Sequence, residues 1–241
     1  MRISMTAGVV LPLLALGLSG CFGTGHPAAT RLPKSQAAEL SIFLDSSGST
    51  ELISSPPYAS AVISRASGEV MRLRLGDSVR VVSFGTRSAD NAVDVLAIQS
   101  GYTMRLPAVR KRVEDALNGL VARNRATGGQ SATDLTYALE QSAIRCSPGG
   151  RVVVLTDGLL ENEQYSASKA LSEGKAVHFP PPLTPYLSGG CSVEVLGVGM
   201  APGAGRNAQT LPNDQMRNLE AGLREYFRTA GATDITFASV L

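Results

Sequence analysis

Three short polar clusters, two placed where an apolar run stops and one in the loop before a helix, carry the residue types from which chemistry could be built. The first is Asp45, Ser47 and Ser49 in "SIFLDSSGST"; the second is Thr133 and Asp134 in "GGQSATDL"; the third is Asp157 in "RVVVLTDG". Residues two apart in an extended segment point the same way, so Asp45, Ser47 and Ser49 would form one row of oxygens. Two carboxylates brought close together repel unless something positive lies between them. A hard divalent cation answers that need. Mg²⁺ takes six oxygens in near-octahedral geometry and dehydrates reluctantly, so hydroxyls and carboxylates acting partly through water suit it. Each cluster alone has a plainer reading. Asp45 and its serines could be a turn, Thr133 or Asp134 a helix N-cap, and Asp157 a turn aspartate. Independent caps, however, have no reason to converge on one crevice.

Convergence depends on the elements that carry the clusters. From about residue 40, short apolar runs alternate with longer helical patterns. "LSIFLD" reads as a strand, and "YASAVISRASGEVMRLRL" as a helix with Ile63, Ala66, Val70 and Leu73 on one face. "SVRVVSFG" and "AVDVLAIQ" are strands joined by a short turn-rich interval, which predicts an antiparallel hairpin at a sheet edge. Pro107 opens a helix with Val109, Val113, Leu117 and Leu120 on one face. "RNRATGGQSATD" reads as a loop and "LTYALEQSAIR" as a helix. "RVVVLTDG" and "VEVLGVG" are continuous apolar strands of the kind buried on both faces. Between them stand a short helix, "QYSASKALSEG", and the proline-rich loop "HFPPPLTPYLSGG". The amphipathic "NDQMRNLEAGLREYFRTAG" and a last strand, "TDITFASVL", complete the chain.

Strands alternating with helices over some 200 residues predict an α/β fold, a doubly wound, mostly parallel six-stranded sheet with helices on both faces. Ligands of such sheets bind outside the carboxyl ends of the strands, near the point where strand order reverses. All three polar clusters fall at such ends. If the first and fourth strands are neighbours, Asp45 and Asp157 face each other across the crevice.

These residues resemble a von Willebrand factor type A domain with a metal-ion-dependent adhesion site. The matching parts are D-S-S-G-S at 45–49, the threonine of "GGQSATDL" and the aspartate of "VLTDG", in that order. The resemblance covers the chain from about residue 39 to residue 241. It implies that Ser47, Ser49 and Thr133 supply hydroxyl ligands to Mg²⁺ or Mn²⁺, with Asp45 and Asp157 acting directly or through water. "GGQSATDL" is longer than the compact bacterial form, so Ser131 stands as an alternative to Thr133. The resemblance further implies a sixth position filled by water or by an Asp or Glu of a partner protein. Mostly neutral ligands leave the metal electrophilic, so it gains from a carboxylate supplied from outside.

The N-terminal region belongs to targeting rather than to the fold. Arg2 precedes the apolar "TAGVVLPLLALGLSG", too short for a comfortable membrane span, and Leu18, Ser19, Gly20 and Cys21 match the bacterial lipoprotein pattern. The expectation is a signal peptide over 1–20, a lipidated Cys21 with a flexible tether over 21–38, and a folded domain over 39–241. Such a chain is lipid-anchored outside the cytoplasm, on a bacterial cell membrane or the periplasmic face of an outer membrane. In that oxidising setting Cys146 and Cys191, each just before a buried strand, are expected to form a disulfide. Closing that loop stabilises by roughly 4 kcal/mol in the chain-entropy model.

Composition narrows the function classes. The 241 residues are 44% hydrophobic and 17% charged, as in globular chains, and the net charge of +2 comes from scattered residues. That distribution gives no electrostatic case for nucleic acid. His26 lies in the tether and His178 in the proline-rich loop, so no histidine is placed as a base beside Ser47 or Ser49. A P-loop is absent, and "GVGMAPGAG" has the wrong spacing for a dinucleotide fingerprint. Arg206, within that stretch, reads as a surface arginine that could border the metal face. The expectation is therefore a binding module, not an enzyme, which engages an envelope or surface protein presenting an Asp or Glu. The alternatives are a metal-dependent hydrolase or phosphoryl-transfer enzyme, and a passive structural envelope protein.

Overall fold

The chain enters its sheet at β1 (Glu39–Asp45), where every residue after Glu39 is buried. In the computed structural model the described residues are 37–86, 93–101, 105–201 and 209–238; the expected signal peptide, Cys21, the tether to residue 36 and Arg206 lie outside them. After β1 come a single turn α1 (Glu51–Ser54), α2 (Pro56–Gly68) and a 3-10 turn, Glu69–Arg72. β2 (Ser78–Phe84) and β3 (Val93–Gln99) follow, then α3 (Leu106–Thr127) and α4 (Leu135–Gln141). β4 (Arg151–Leu155), α5 (Ala167–Ser172) and β5 (Ser192–Leu196) precede a two-residue ribbon of β6 (Met200–Ala201) and β7 (Gln209–Thr210). α6 (Asn213–Thr229) and β8 (Asp234–Ala238) complete the fold.

The large sheet runs β3-β2-β1-β4-β5-β8. All its neighbours are parallel except the β2–β3 pair, which forms the expected antiparallel edge. This is the doubly wound, mostly parallel α/β sheet predicted from the strand and helix alternation. Chain order reverses between β1 and β4, which pair from Leu40 with Arg151 to Leu44 with Leu155. The crevice therefore opens where Asp45 and Asp157 leave their strands.

Period-two alternation sorts the strand residues into two cores. Phe43, Val82, Val154 and Val195 pack with Leu139 of α4, Leu171 of α5 and Leu219, Leu223 and Phe227 of α6. Ile42, Leu44, Val153 and Leu155 pack with Val62, Ile63 and Ala66 of α2 and with Val109, Val113 and Leu117 of α3. Burial on both faces explains the unbroken apolar runs of the central strands. Among the described residues no helix is long and apolar enough to cross a membrane.

Several boundaries differ from the sequence reading; α4, read through Arg145, ends at Gln141. The helix expected to run through Leu73 changes to a 3-10 turn after Gly68, although Ile63, Ala66, Val70 and Leu73 are all buried as expected. Residues 123–127, read as loop, extend α3 to Gly128, whose φ of 82° ends the helix in a left-handed cap. The two-residue ribbon has no period long enough to announce it. Cys146 and Cys191 form the expected disulfide, with an S–S distance of 2.13 Å and a Cα–Cα distance of 5.3 Å, beside the starts of β4 and β5.

Candidate functional site

Three loops are laced together at the carboxyl ends of β1 and β4. Beyond β1, Ser46 donates its N–H to the Phe84 carbonyl at 2.7 Å, and Gly48 donates to the Gln130 carbonyl at 2.8 Å. Gln130 returns a bond from its N–H to the Ser46 carbonyl, also at 2.8 Å. Glycine is required where these segments touch. A Cβ on Gly48 would lie 2.8 Å from the Gly128 carbonyl oxygen, and one on Gly129, at φ +74°, would lie 2.7 Å from the Gly48 nitrogen. Further along, Thr133 and Glu161 exchange two backbone bonds of 3.0 Å, joining the α3–α4 loop to the one after β4.

This lacing gathers the oxygens of the three clusters. Asp45 is fully buried; its Oδ1 accepts the Ser47 N–H at 2.8 Å and its Oδ2 accepts the Thr156 hydroxyl at 2.6 Å. The hydroxyls of Ser47 and Ser49 stand 3.0 Å apart. Asp157, 1% exposed, uses Oδ1 to accept the Leu159 N–H at 2.9 Å. Its Oδ2 is enclosed and meets no donor at hydrogen-bond distance, although the Ser49 hydroxyl lies near enough to favour the charged carboxylate. Thr133 is buried in the same laced segment, whereas Ser131 is exposed.

Burial is the main electrostatic fact here. It pushes the Asp45 carboxyl up to about 6, against the opposing hydrogen bonds from Thr156 and Ser47. Burial, then the charges of Asp45 and Glu161, push Asp157 up to about 7 against the Leu159 N–H and the Ser49 hydroxyl. Neither carboxylate has a Lys, Arg or His partner among the described residues. No cluster of three or more His, Cys, Asp or Glu is arranged to hold a metal among the described residues, so the donors here are two carboxylates and a set of hydroxyls.

The plainer readings account for part of the geometry. Asp134 is the N-cap of α4: its Oδ1 accepts the Tyr137 N–H and the Thr136 hydroxyl, each at 3.1 Å, and its Oδ2 accepts from Asn162 at 3.2 Å. Asp157 does serve its turn, but with one oxygen only. His178 is exposed in the proline-rich loop and gives its backbone N–H to the Tyr165 hydroxyl. Sequence reasoning missed Thr156, whose hydroxyl also accepts the Gly158 N–H at 3.0 Å and thereby ties the two aspartate loops together. A threonine ending an otherwise aliphatic run was the available signal. Glu161 was missed as well, because nothing in its local sequence marks it as facing Asp157.

The sheet order, the helices on both faces and the three loops at the β1–β4 crevice make a doubly wound α/β fold of the kind that the von Willebrand factor type A resemblance implies. No protein-family model and no curated protein matches the chain. Solved structures do. An aerotolerance-related membrane protein from Bacteroides fragilis, carrying multiple mutations to serine, is 21% identical, with 83% of this chain and 90% of that one covered and a TM-score of 0.43. BatB from Bacteroides thetaiotaomicron, described as a conserved hypothetical protein, is 20% identical over 85% of this chain and 92% of its own, with a TM-score of 0.44. A von Willebrand factor type A protein from Catenulispora acidiphila is 16% identical over 84% of this chain and 39% of its own, with a TM-score of 0.45. At this level of likeness, the reading of the chain rests on its own sheet and loops.

Proposed function

We propose that this chain is a membrane-tethered extracytoplasmic binding module, in which a divalent cation docks an acidic residue of another envelope or surface protein. The observation that carries this reading is the pair of buried carboxylates at the crevice. Asp45 and Asp157 have no cationic partner among the described residues, and Asp157 keeps one enclosed oxygen without a donor. A structural turn needs neither feature, and both are costly without a positive ion between the two acids.

The all-oxygen donor set fits Mg²⁺ or Mn²⁺. Ser47, Ser49 and Thr133 would hold the ion through hydroxyls, with Asp45 and Asp157 ligating it directly or through water. When bound, the cation supplies an electrophilic position for an incoming carboxylate. Thr156 keeps the Asp45 carboxylate aimed, and the Gly48–Gly129 contact keeps the serine row and the threonine loop at fixed spacing. Among the described residues no histidine stands as a base beside Ser47 or Ser49, whose hydroxyls face one another, and His178 is exposed in the proline-rich loop. This favours an interaction module over a hydrolase. Anchoring would come from lipid on Cys21, behind the signal peptide of residues 1–20.

The test is calorimetric titration of Mg²⁺ and Mn²⁺ into chelator-treated full-length protein, with Asp45→Ala beside it. Saturable one-site binding, lost in the variant, is expected. Acetate, as the smallest carboxylate, should tighten metal binding, because a ligand completing the shell is linked reciprocally to the metal. Absence of saturable binding in the wild type would sink the cation reading; binding indifferent to acetate would sink the docking role.

A further inference from the structure

A second unsatisfied polar atom lies close to the cup and is not explained by packing. Tyr58, in the first turn of α2, is 9% exposed, and its hydroxyl is fully enclosed without a hydrogen-bond partner. The ring belongs to the core beneath α2. The tip reaches the rim of the sheet: a Cβ built on Gly197 would lie 2.5 Å from the Tyr58 hydroxyl and 3.1 Å from the Thr156 carbonyl oxygen. The phenol oxygen therefore sits against Gly197 at the end of β5, on the side where Thr156, the residue before Asp157, leaves β4.

Glu51 lies in α1, just before α2, and its carbonyl accepts the N–H of Ser55, the N-cap of α2, at 3.0 Å. It is 6% exposed, its Oε2 accepts the Ser54 hydroxyl at 2.6 Å, and no cation pairs with it among the described residues. Burial first, then the charges of Glu51 and of Asp157, push the Tyr58 phenol up to about 12, which places both carboxylates within electrostatic reach of the hydroxyl. Two enclosed atoms thus lack partners, the Tyr58 hydroxyl and Asp157 Oδ2, and they do not bond to one another. A buried water bridging such groups satisfies both, and polar sites of this kind hold water. Packing alone would need only the ring, which a phenylalanine supplies without a stranded hydroxyl.

We propose that Tyr58 and Glu51 form an outer layer of the cation cup, their hydroxyl and carboxylate together holding a water that reaches Asp157 and the metal. This rests on the cation reading above. The outer layer orients the water and keeps Asp157 Oδ2 turned toward the ion, as second-shell partners of metal ligands do.

The experiment is Mn²⁺ titration by calorimetry into chelator-treated full-length wild type, Tyr58→Phe, Glu51→Gln and the double variant, with thermal melts of each in chelator. About tenfold weaker Mn²⁺ binding is expected in each single variant, at the lower end of second-shell effects. The double variant should be scarcely worse than either, because both residues act through one water. In chelator, Tyr58→Phe should melt no lower than wild type, since it loses an unpaired hydroxyl and keeps the ring. Wild-type affinity in both folded single variants overturns the outer layer and leaves the cation site standing. Affinity lost together with metal-free stability assigns Tyr58 to packing and overturns it as well. A wild type that binds no Mn²⁺ fails the cation reading itself, and the outer layer with it.

Discussion

Stripped of divalent cations, the domain is expected to be less stable at pH 7.5 than at pH 5.5. Burial holds the folded-state pKa values of Asp45 and Asp157 well above the ordinary carboxylate range, to about 6 and about 7. In the unfolded chain both titrate near 3.9. Between about pH 4 and pH 7 the folded state therefore binds more protons than the unfolded one, and the free energy of unfolding falls as pH rises through that window. The contribution is fully present below the unfolded values and is lost as pH passes the folded ones. Over the interval from pH 5.5 to 7.5 the two groups together remove about 2–3 kcal/mol. For a domain of ordinary stability that is a large share, and it corresponds to a urea midpoint lower by about 1 M. The assay is urea unfolding followed by circular dichroism in EDTA at both pH values, with the disulfide intact. Asp157→Asn should flatten most of the slope, because it removes one ionisation and the repulsion on the other. Adding Mn²⁺ at pH 7.5 should restore the midpoint. A wild-type midpoint that holds or rises between pH 5.5 and 7.5 would refute the reasoning, as would an equal slope in Asp157→Asn.

Two substitutions probe how the cup is held. Gly129→Ala places a Cβ at φ +74°, 2.7 Å from the Gly48 nitrogen and 2.8 Å from Ile53 Cδ1, and should cost more than about 1 kcal/mol in urea unfolding while weakening Mn²⁺ binding. Thr156→Val removes the donor to Asp45 Oδ2 and the acceptor for the Gly158 N–H, a loss of about 2–3 kcal/mol at neutral pH, and Thr156→Ser should recover most of it.

The fold was legible because its signals are periodic. Val152 to Leu155 and Val193 to Leu196 lie in strands covered on both sides, and α6 shows its buried stripe of Leu219, Leu223 and Phe227 at helical spacing. The antiparallel edge was readable from the short, turn-rich interval between its two strands. Helix ends were less readable, because Arg123 to Thr127 are compatible with either state and only Gly128 decides the stop. At the site, Asp45, Ser47, Ser49 and Asp157 announced themselves by carboxylate and hydroxyl type at the ends of apolar runs. Thr133 was favoured over Ser131 by its place directly before the apolar helix, and in the fold Thr133 is buried, paired through its backbone with Glu161, whereas Ser131 is exposed. Glu51 and Tyr58 were invisible for a shared reason. Their roles arise from contacts between segments far apart in the chain, such as Tyr58 against Gly197, and no local pattern records those.

The placement of β1 has a mechanical consequence. The strand is bonded along its length to β2 and to β4, both parallel to it. Its first residue, Glu39, and the Asp45 end of the cup lie at opposite poles, about 20 Å apart at the usual rise per strand residue. If the chain is anchored upstream and a partner pulls on the cup, tension passes down the axis of this one central strand. Both flanking ladders are then loaded in shear, with many hydrogen bonds sharing the force, instead of being peeled one bond at a time. Under that condition a domain wired in this way would bear load between its anchor and its partner, and the contact with the partner is expected to give way before the sheet.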